Sequence, residues 1–493
     1  MESARNVERK RPNHSESKIE YASREFRNFL MKNIFSLFAR KLHNTFAARI
    51  FLGVREVEDS ATAQSQLERA EKGVFMSETT VHMLDKHMFD LRQILSQGRK
   101  RIGLLIGAGA PASVCVNDEG EICGNGEVLI PDGEKITALV VEELKKNNSK
   151  TIEAILSELG GNPNIEEILT RIRQLSQVVG NTEFYGLKEE GYKELTEQIC
   201  SQIGKIVSAE LPKEPNPFTK LVSWISGIHR EHPIEIFTTN YDLLFEEAFE
   251  RVRLSYFDGF SGSHKPFFDP ASVSDNFLPA HWPRIWKIHG SLGWETQWDD
   301  ELKQDAIVRT GKRTAANLIY PDHMKYDQIA RQPYSAFFDR LREFLKTQDS
   351  LLLCSGFSFS DSHITSVLNE ALGANASAVV FAFQYKSLDE ERSAVQLAHR
   401  RSNMSVYAPD GAVISGTRGK WRLGDLPTKG WDDIRRTFWS SDDDRKGREF
   451  LLGDFAALTH FFALARSLDL KTIFHQNDPD SIKDVVGEGN AQS

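Results

Sequence analysis

The sequence predicts an α/β protein built on a parallel sheet with helices on both faces, and two observations carry that prediction. From Ile234 onward short apolar runs alternate with amphipathic segments, the pattern of strand–helix–strand crossovers. Four apolar runs also end in polar clusters rich in Gly, Asn, Asp, His and Ser. Ligands of open parallel sheets bind at the carboxyl ends of the strands, so four such clusters can share one crevice.

Composition bounds the rest. The 493 residues exceed one ordinary domain, and 40% hydrophobic with 27% charged residues is ordinary globular usage. A net charge of −9 argues against the whole chain being a nucleic-acid binder. The four cysteines, Cys115, Cys123, Cys200 and Cys354, form no Cys-x-x-Cys pair and suit a reducing compartment. With no 18-residue apolar run and a polar stretch from Met1 to Lys18, the expectation is a cytoplasmic protein without membrane contact.

Residues 1–98 read as an N-terminal helical extension. The first 52 residues carry a local +6, leaving −15 on the rest, and Phe26, Phe29, Leu30, Ile34, Leu37, Phe38, Leu42 and Phe46 recur at helical spacing. Such a basic amphipathic helix packs on its own domain, contacts another subunit, or meets a membrane or nucleic-acid surface. A linker-like stretch, 56–66, precedes a second helical segment from about Ser77 to Gln97.

The sheet is expected over 99–410. Gly103 to Ile106 forms its first strand and ends in Gly107-Ala108-Gly109-Ala110, a turn for close backbone approach. The Gly-, Asn- and Asp-rich loop 117–132 is a candidate lid. Residues 134–230 read as a helical insertion. In it Asn164 and Glu167 form a capping box ahead of a stripe of Ile165, Ile168, Leu169, Ile172 and Leu175, expected to be core. Ile234 to Phe237 ends in Thr238-Thr239-Asn240-Tyr241-Asp242. Arg284 to Trp286 ends in Lys287-Ile288-His289-Gly290-Ser291, and Leu351 to Leu353 in Cys354-Ser355-Gly356-Phe357-Ser358-Phe359. Helices near 334–345, 362–372 and 387–400 alternate with strands 378–383 and 404–407. The turn 407–411 is a candidate wall of the ligand pocket. Residues 411–493 read as a C-terminal segment with a charge run at 442–446, one helix at 450–468 and a polar tail from Gln476.

The residue types suit a nucleotide with a reactive sugar. Asn240 offers a donor and an acceptor, Asp242 a carboxylate, and His289 a proton acceptor near neutrality. Each has a plainer role open to it: Asn240 as a helix cap, Asp242 as a charge in a first helical turn, Gly356 and Ser358 as a simple turn. Asp361-Ser362-His363 names triad residues, but sequence neighbours point in different directions.

Taken in order, the four clusters resemble the sirtuin family, and more closely the bacterial sirtuin-like proteins of anti-phage defence that hydrolyse NAD+. The resemblance spans about 99–410. It implies a Rossmann-like sheet that binds NAD+ as substrate. By the same resemblance Gly107, Ala108, Gly109 and Ala110 form the dinucleotide-phosphate loop, with backbone N–H groups as donors. Asn240 and His289 would be catalytic, Thr239 and Asp242 would face ribose and nicotinamide, and Gly356 and Ser358 the ribose and adenine side.

Two departures turn the reading away from protein deacylation. Sirtuin deacylases carry a zinc ribbon of two Cys-x-x-Cys pairs, which this chain lacks, so no metal is expected. The Gln before Asn in deacylases is Thr239 here. Pro111, where the family usually has Ser, bears instead on the details of the phosphate loop. The expectation is an NAD+ glycohydrolase yielding nicotinamide and ADP-ribose, or a cyclic isomer, that acts in anti-phage defence. A homo-oligomer, with a HerA-type ATPase as partner, is implied in the same way. A deacylase or ADP-ribosyltransferase, and a non-catalytic NAD+ or ADP-ribose sensor, are the alternatives.

Overall fold

The computed structural model describes residues 80–161, 163–274, 278–300, 303–311, 313, 332–424, 430–440 and 450–464. The basic amphipathic helix, the 56–66 linker, the 442–446 charge run and the tail from Gln476 lie outside these residues.

The core is a nine-stranded sheet. Its strands are β1 (Val81–Met83), β2 (Arg101–Ile106), β3 (Glu235–Thr238), β4 (Arg284–Lys287), β5 (Ser350–Ser355), β6 (Val379–Phe383), β7 (Met404–Ala408), β8 (Gly411–Ile414) and β9 (Thr417–Arg422). In space they run β1-β9-β8-β7-β6-β5-β2-β3-β4. From β7 to β4 every pairing is parallel. The chain runs outward from β2 through β3 to β4, then returns to β5 on the other side of β2. That reversal is the topological switch point of a doubly wound sheet, where a crevice must open at the strand ends.

Alternating side chains explain why helices cover both faces. Leu104 and Ile106, Ile236, Ile285, and Leu351 and Leu353 enter one buried cluster. Their neighbours Leu105, Phe237, Trp286, Leu352 and Cys354 enter the other. With period-2 side chains, runs that are apolar throughout have no solvent face to present. Gly103 is the exception that packing demands, since a Cβ there would sit 2.7 Å from the Phe344 ring. Cys354 is free and fully buried, and burial pushes its thiol pKa up, so it is inert core.

The helical insertion forms as expected, with helices Gly133–Leu159, Ile165–Val178, Glu189–Val207 and Pro217–Ser226. The Asn164 side chain accepts from Glu167 N at 2.8 Å, and Glu167 accepts from Asn164 N at 2.9 Å. All five stripe residues are buried.

The expected boundaries at 98/99 and 410/411 do not separate bodies. β1 pairs with β9 in the same sheet, and β8–β9 continues it beyond β7 as an antiparallel hairpin. Asp85 fastens this edge: its carboxylate accepts from Gly424 N, Trp431 Nε1 and Arg435 Nε, each at 2.8 Å. A four-stranded antiparallel sheet is built from 260–261 and 267–268, before β4 in the chain, and 294–299 and 304–309, after it.

Candidate functional site

The β2 and β5 ends meet at the switch point through their glycines. Gly107 N donates to Ser355 O at 3.1 Å and Gly109 N to Gly356 O at 3.0 Å. A Cβ on Gly107 would stand 2.3 Å from Gly356 O, and one on Gly109 2.7 Å from Gly356 Cα. Gly356 itself has φ +64°, which a side chain would strain. These glycines therefore let two backbones touch. The donors expected of the turn are largely spent inside the protein, because Ala110 N also donates, to Gly107 O at 3.1 Å.

The β3 end carries Asn240 and Asp242. Thr238 Oγ1 accepts from Asn240 N at 3.1 Å and donates to Ile106 O at 2.9 Å, while Asn240 Nδ2 donates to Gly107 O at 3.1 Å. Asn240 is thus tied to the glycine turn and caps no helix, since the next helix starts at Leu244 with Leu243 as its N-cap. Asp242 does serve that helix: Oδ1 accepts from Leu244 N at 3.1 Å. Burial, opposed by the nearby Lys287 cation, pushes the Asp242 pKa up to about 6.

Lys287, the last residue of β4, was not foreseen as part of the site. Its ammonium is buried and donates to the Asp242 carbonyl and to Ser291 Oγ, 3.0 Å away. Glu246 Oε1, at 3.0 Å, balances the charge. Leu292 N also donates to Tyr241 O at 2.9 Å, so the Asn240 and His289 loops are bound together twice.

His289 is buried, with Nε2 2.9 Å from Asp361 Oδ2. Asp361 caps helix Ser362–Ala374 and is fixed by His363 N at 2.8 Å and Ile364 N at 3.3 Å. Asp361 finds a histidine across the sheet. Sequence spacing carried no signal for a pair 72 positions apart.

Residues 234–405 match the family described as SIR2-like domain. This stretch holds Thr239, Asn240, Asp242, His289, Gly356, Ser358 and Asp361, whereas the 107–110 turn lies before it. Among solved structures, one described as "Structural Basis for the Mechanism and Regulation of Sir2 Enzymes" matches at 12% identity and a TM-score of 0.29, covering 65% of this chain and 90% of that one. A search of curated proteins found no match.

The strand ends open into a cleft of ≈ 1560 Å³ whose wall includes Gly107, Ala108 and Gly109 of the glycine turn, and also Thr239, Asn240, Asp242, His289, Gly356 and Ser358. Ala110 is fully buried beneath it. Ile130 and Pro131, from the expected lid, and Thr170 and Arg171, from the helical insertion, also line it. Ser358 Oγ lies 2.7 Å from Ser360 Oγ. Gln384, at the β6 end, anchors this loop by donating to Phe357 O at 3.2 Å. The 407–411 turn does not reach the cleft: Tyr407 is buried in a ring stack and Asp410 accepts from Leu388 N at 2.9 Å. Among the described residues no group of three His, Cys, Asp or Glu is arranged to hold a metal ion, and no helix is long and apolar enough to cross a membrane.

Proposed function

We propose that the chain hydrolyses the nicotinamide–ribose bond of NAD+, releasing nicotinamide and ADP-ribose; closure by an internal nucleophile in place of water would give a cyclic product instead. One observation supports this above the others: a tethered amide, Asn240, and an imidazole, His289, with Nε2 2.9 Å from the Asp361 carboxylate, share the switch-point cleft. The sirtuin-like match over both residues supports it further.

Cleavage sends the bonding pair of the ribose C1′–N bond onto the nicotinamide nitrogen and leaves positive charge on the ribose. Water forms the new C1′–O bond and releases a proton. His289 accepts that proton at Nδ1, because Nε2 is the nitrogen turned to Asp361, and the carboxylate stabilises the resulting imidazolium. With Asn240 Nδ2 committed to Gly107 O, its Oδ1 is the acceptor that orients water or a ribose hydroxyl. Gly107 to Ala110, Thr239, Gly356 and Ser358 shape the dinucleotide's bed, and Asp242 supports the Asn240 loop. None of these steps is routed through a metal.

The purified full chain is expected to release nicotinamide from NAD+ with no acylated peptide present, at a rate unchanged by chelators. Absence of release, with NAD+ bound, would leave the sensor reading in its place. By resemblance, the setting is anti-phage defence, with a homo-oligomer and a HerA-type ATPase partner. Light scattering of the chain alone and with such a partner tests the assembly.

The cleft volume favours one second reading. At ≈ 1560 Å³ it exceeds the roughly 300–1,000 Å³ of ordinary small-molecule sites. An acceptor other than water, as in an ADP-ribosyltransferase or deacylase, would use that room. ADP-ribose recovered on protein, detected by mass spectrometry, would favour transfer over hydrolysis.

A further inference from the structure

Lys287 belongs to the His289 loop by sequence and to both catalytic loops by its bonds. Its backbone carbonyl accepts from Gly290 N at 3.1 Å, and Gly290 has φ +96°, so His289 sits inside a tight turn that starts at Lys287. The side chain closes the same turn a second time, because Nζ donates to Ser291 Oγ, 3.0 Å away. The same nitrogen donates to the Asp242 carbonyl and meets Glu246 Oε1 at 3.0 Å. An ammonium has three N–H donors, and three acceptors converge on this one. Two of them lie at matched places: Asp242 is two residues past Asn240, and Ser291 is two residues past His289.

Burying such a charge costs stability. Lys287, Asp242 and Ser291 are all buried. Glu246 balances the charge through Oε1, while its Oε2 accepts no hydrogen bond among the described residues. Apolar residues of similar volume often replace a buried ion pair with equal or greater stability, so stability alone does not call for this one. What apolar residues cannot do is hold a carbonyl of one loop and a hydroxyl of the other at a single point. Arginine cannot do so either, since its planar fork spreads its donors apart. The buried charge therefore secures geometry. We propose that Lys287 is a positioning residue for cleavage: its ammonium fixes the separation of the Asn240 amide and the His289 imidazole, with Glu246 as the counter-ion that lets a charge stand there.

This inference rests on the proposed cleavage of NAD+ and adds to it a specific kinetic signature. The bed for the dinucleotide is held by other contacts, those of Gly107 and Gly109 with the Ser355–Gly356 backbone. Loosening the clamp should therefore disturb the reacting groups more than binding, which lowers kcat and leaves KM in place.

The experiment compares the full-length parent with Lys287→Met, Lys287→Met/Glu246→Leu and Ser291→Ala for nicotinamide release and melting temperature. Lys287→Met leaves the Glu246 charge without its counter-ion and should lose both stability and kcat. The double variant removes that charge and should melt close to the parent. Its kcat is expected to stay lower on the order of 10²-fold, the scale of a loop displaced by about 1 Å, with KM for NAD+ within about twofold of the parent. Ser291→Ala cuts the arm to the His289 loop alone and should lower kcat roughly tenfold. A kcat that recovers together with the melting temperature in the double variant, or that stays parental in Ser291→Ala, would overturn positioning and leave Lys287 a structural residue. Amide hydrogen exchange of 239–243 and 288–292, followed by mass spectrometry, reads the clamp without any activity. Exchange there is expected to quicken in the double variant, and parental exchange would overturn the clamp. A parent that never cleaves NAD+, with exchange quickened in the double variant, would count against the proposed reaction and leave the clamp standing.

Discussion

Replacing Asp242 by Asn tests how the fold holds the Asn240 loop. The substitution removes a buried charge, keeps the side-chain shape and leaves the backbone carbonyl that takes Lys287. Burial raises the Asp242 pKa from 3.8 to about 6 in the native chain. Between those values the folded state binds more protons than the unfolded state, so this group's contribution to stability falls as pH rises through that window. Below 3.8 both states are protonated, and above about 6 both are ionised. The full penalty is about 3 kcal/mol, from roughly two pKa units at 1.36 kcal/mol each. Most of what titration between about pH 5 and pH 7.5 removes, about 1.4 kcal/mol, belongs to the parent and is absent from Asp242→Asn. Urea unfolding followed by tryptophan fluorescence at the two pH values measures it. The stability of Asp242→Asn relative to the parent is expected to rise by that amount toward higher pH. A relative stability that is flat, or that falls with rising pH, would refute the argument that desolvation governs this carboxylate.

Three further perturbations probe other parts of the account. Asp361→Asn keeps a cap acceptor for His363 N but turns an amide toward His289, so kcat for nicotinamide release should fall roughly 10³–10⁴-fold while the melting temperature barely moves. Gly356→Ala places a Cβ 2.7 Å from Ala110 N at a φ of +64°, and should cost roughly 2 kcal/mol in thermal denaturation and lower NAD+ affinity as the two loops part. Asp85→Ala strips acceptors from Gly424 N, Trp431 Nε1 and Arg435 at once, and should cost roughly 3 kcal/mol in chemical denaturation with kcat nearly unchanged.

The parallel sheet was legible because a strand buried on both faces shows itself as an unbroken apolar run. Leu104–Ile106 and Leu351–Cys354 are of that kind. The glycine turn, the Asn240 loop and the His289 loop were legible for a related reason: polar residues placed just after such runs lie at strand ends. What escaped was of two kinds. Strand β1 has only three residues, and Thr417–Arg422, next to that edge strand, places charged residues between Thr, Gly and Trp, so apolarity does not mark it. The partnerships of the site depend on topology: Asp361 reaches His289, and Gln384 reaches Phe357, only because the strands ending beside them lie side by side or close in the sheet. Lys287 was read as part of a motif, but a lysine in that position carries no sign that it will be buried and fastened to Asp242 and Ser291. The N–H groups of the glycine turn were assigned to a ligand because the sequence does not reveal that β5 ends where it can take them.

The central claim is that Asn240 and His289 act together on NAD+ at the switch-point cleft. Nicotinamide release from NAD+, measured by chromatography on the parent, Asn240→Ala and His289→Ala with folding checked by circular dichroism, tests it most directly. The account predicts release by the parent and a loss of roughly 10²–10⁴-fold in each variant. Release at the parental rate by either folded variant would contradict it.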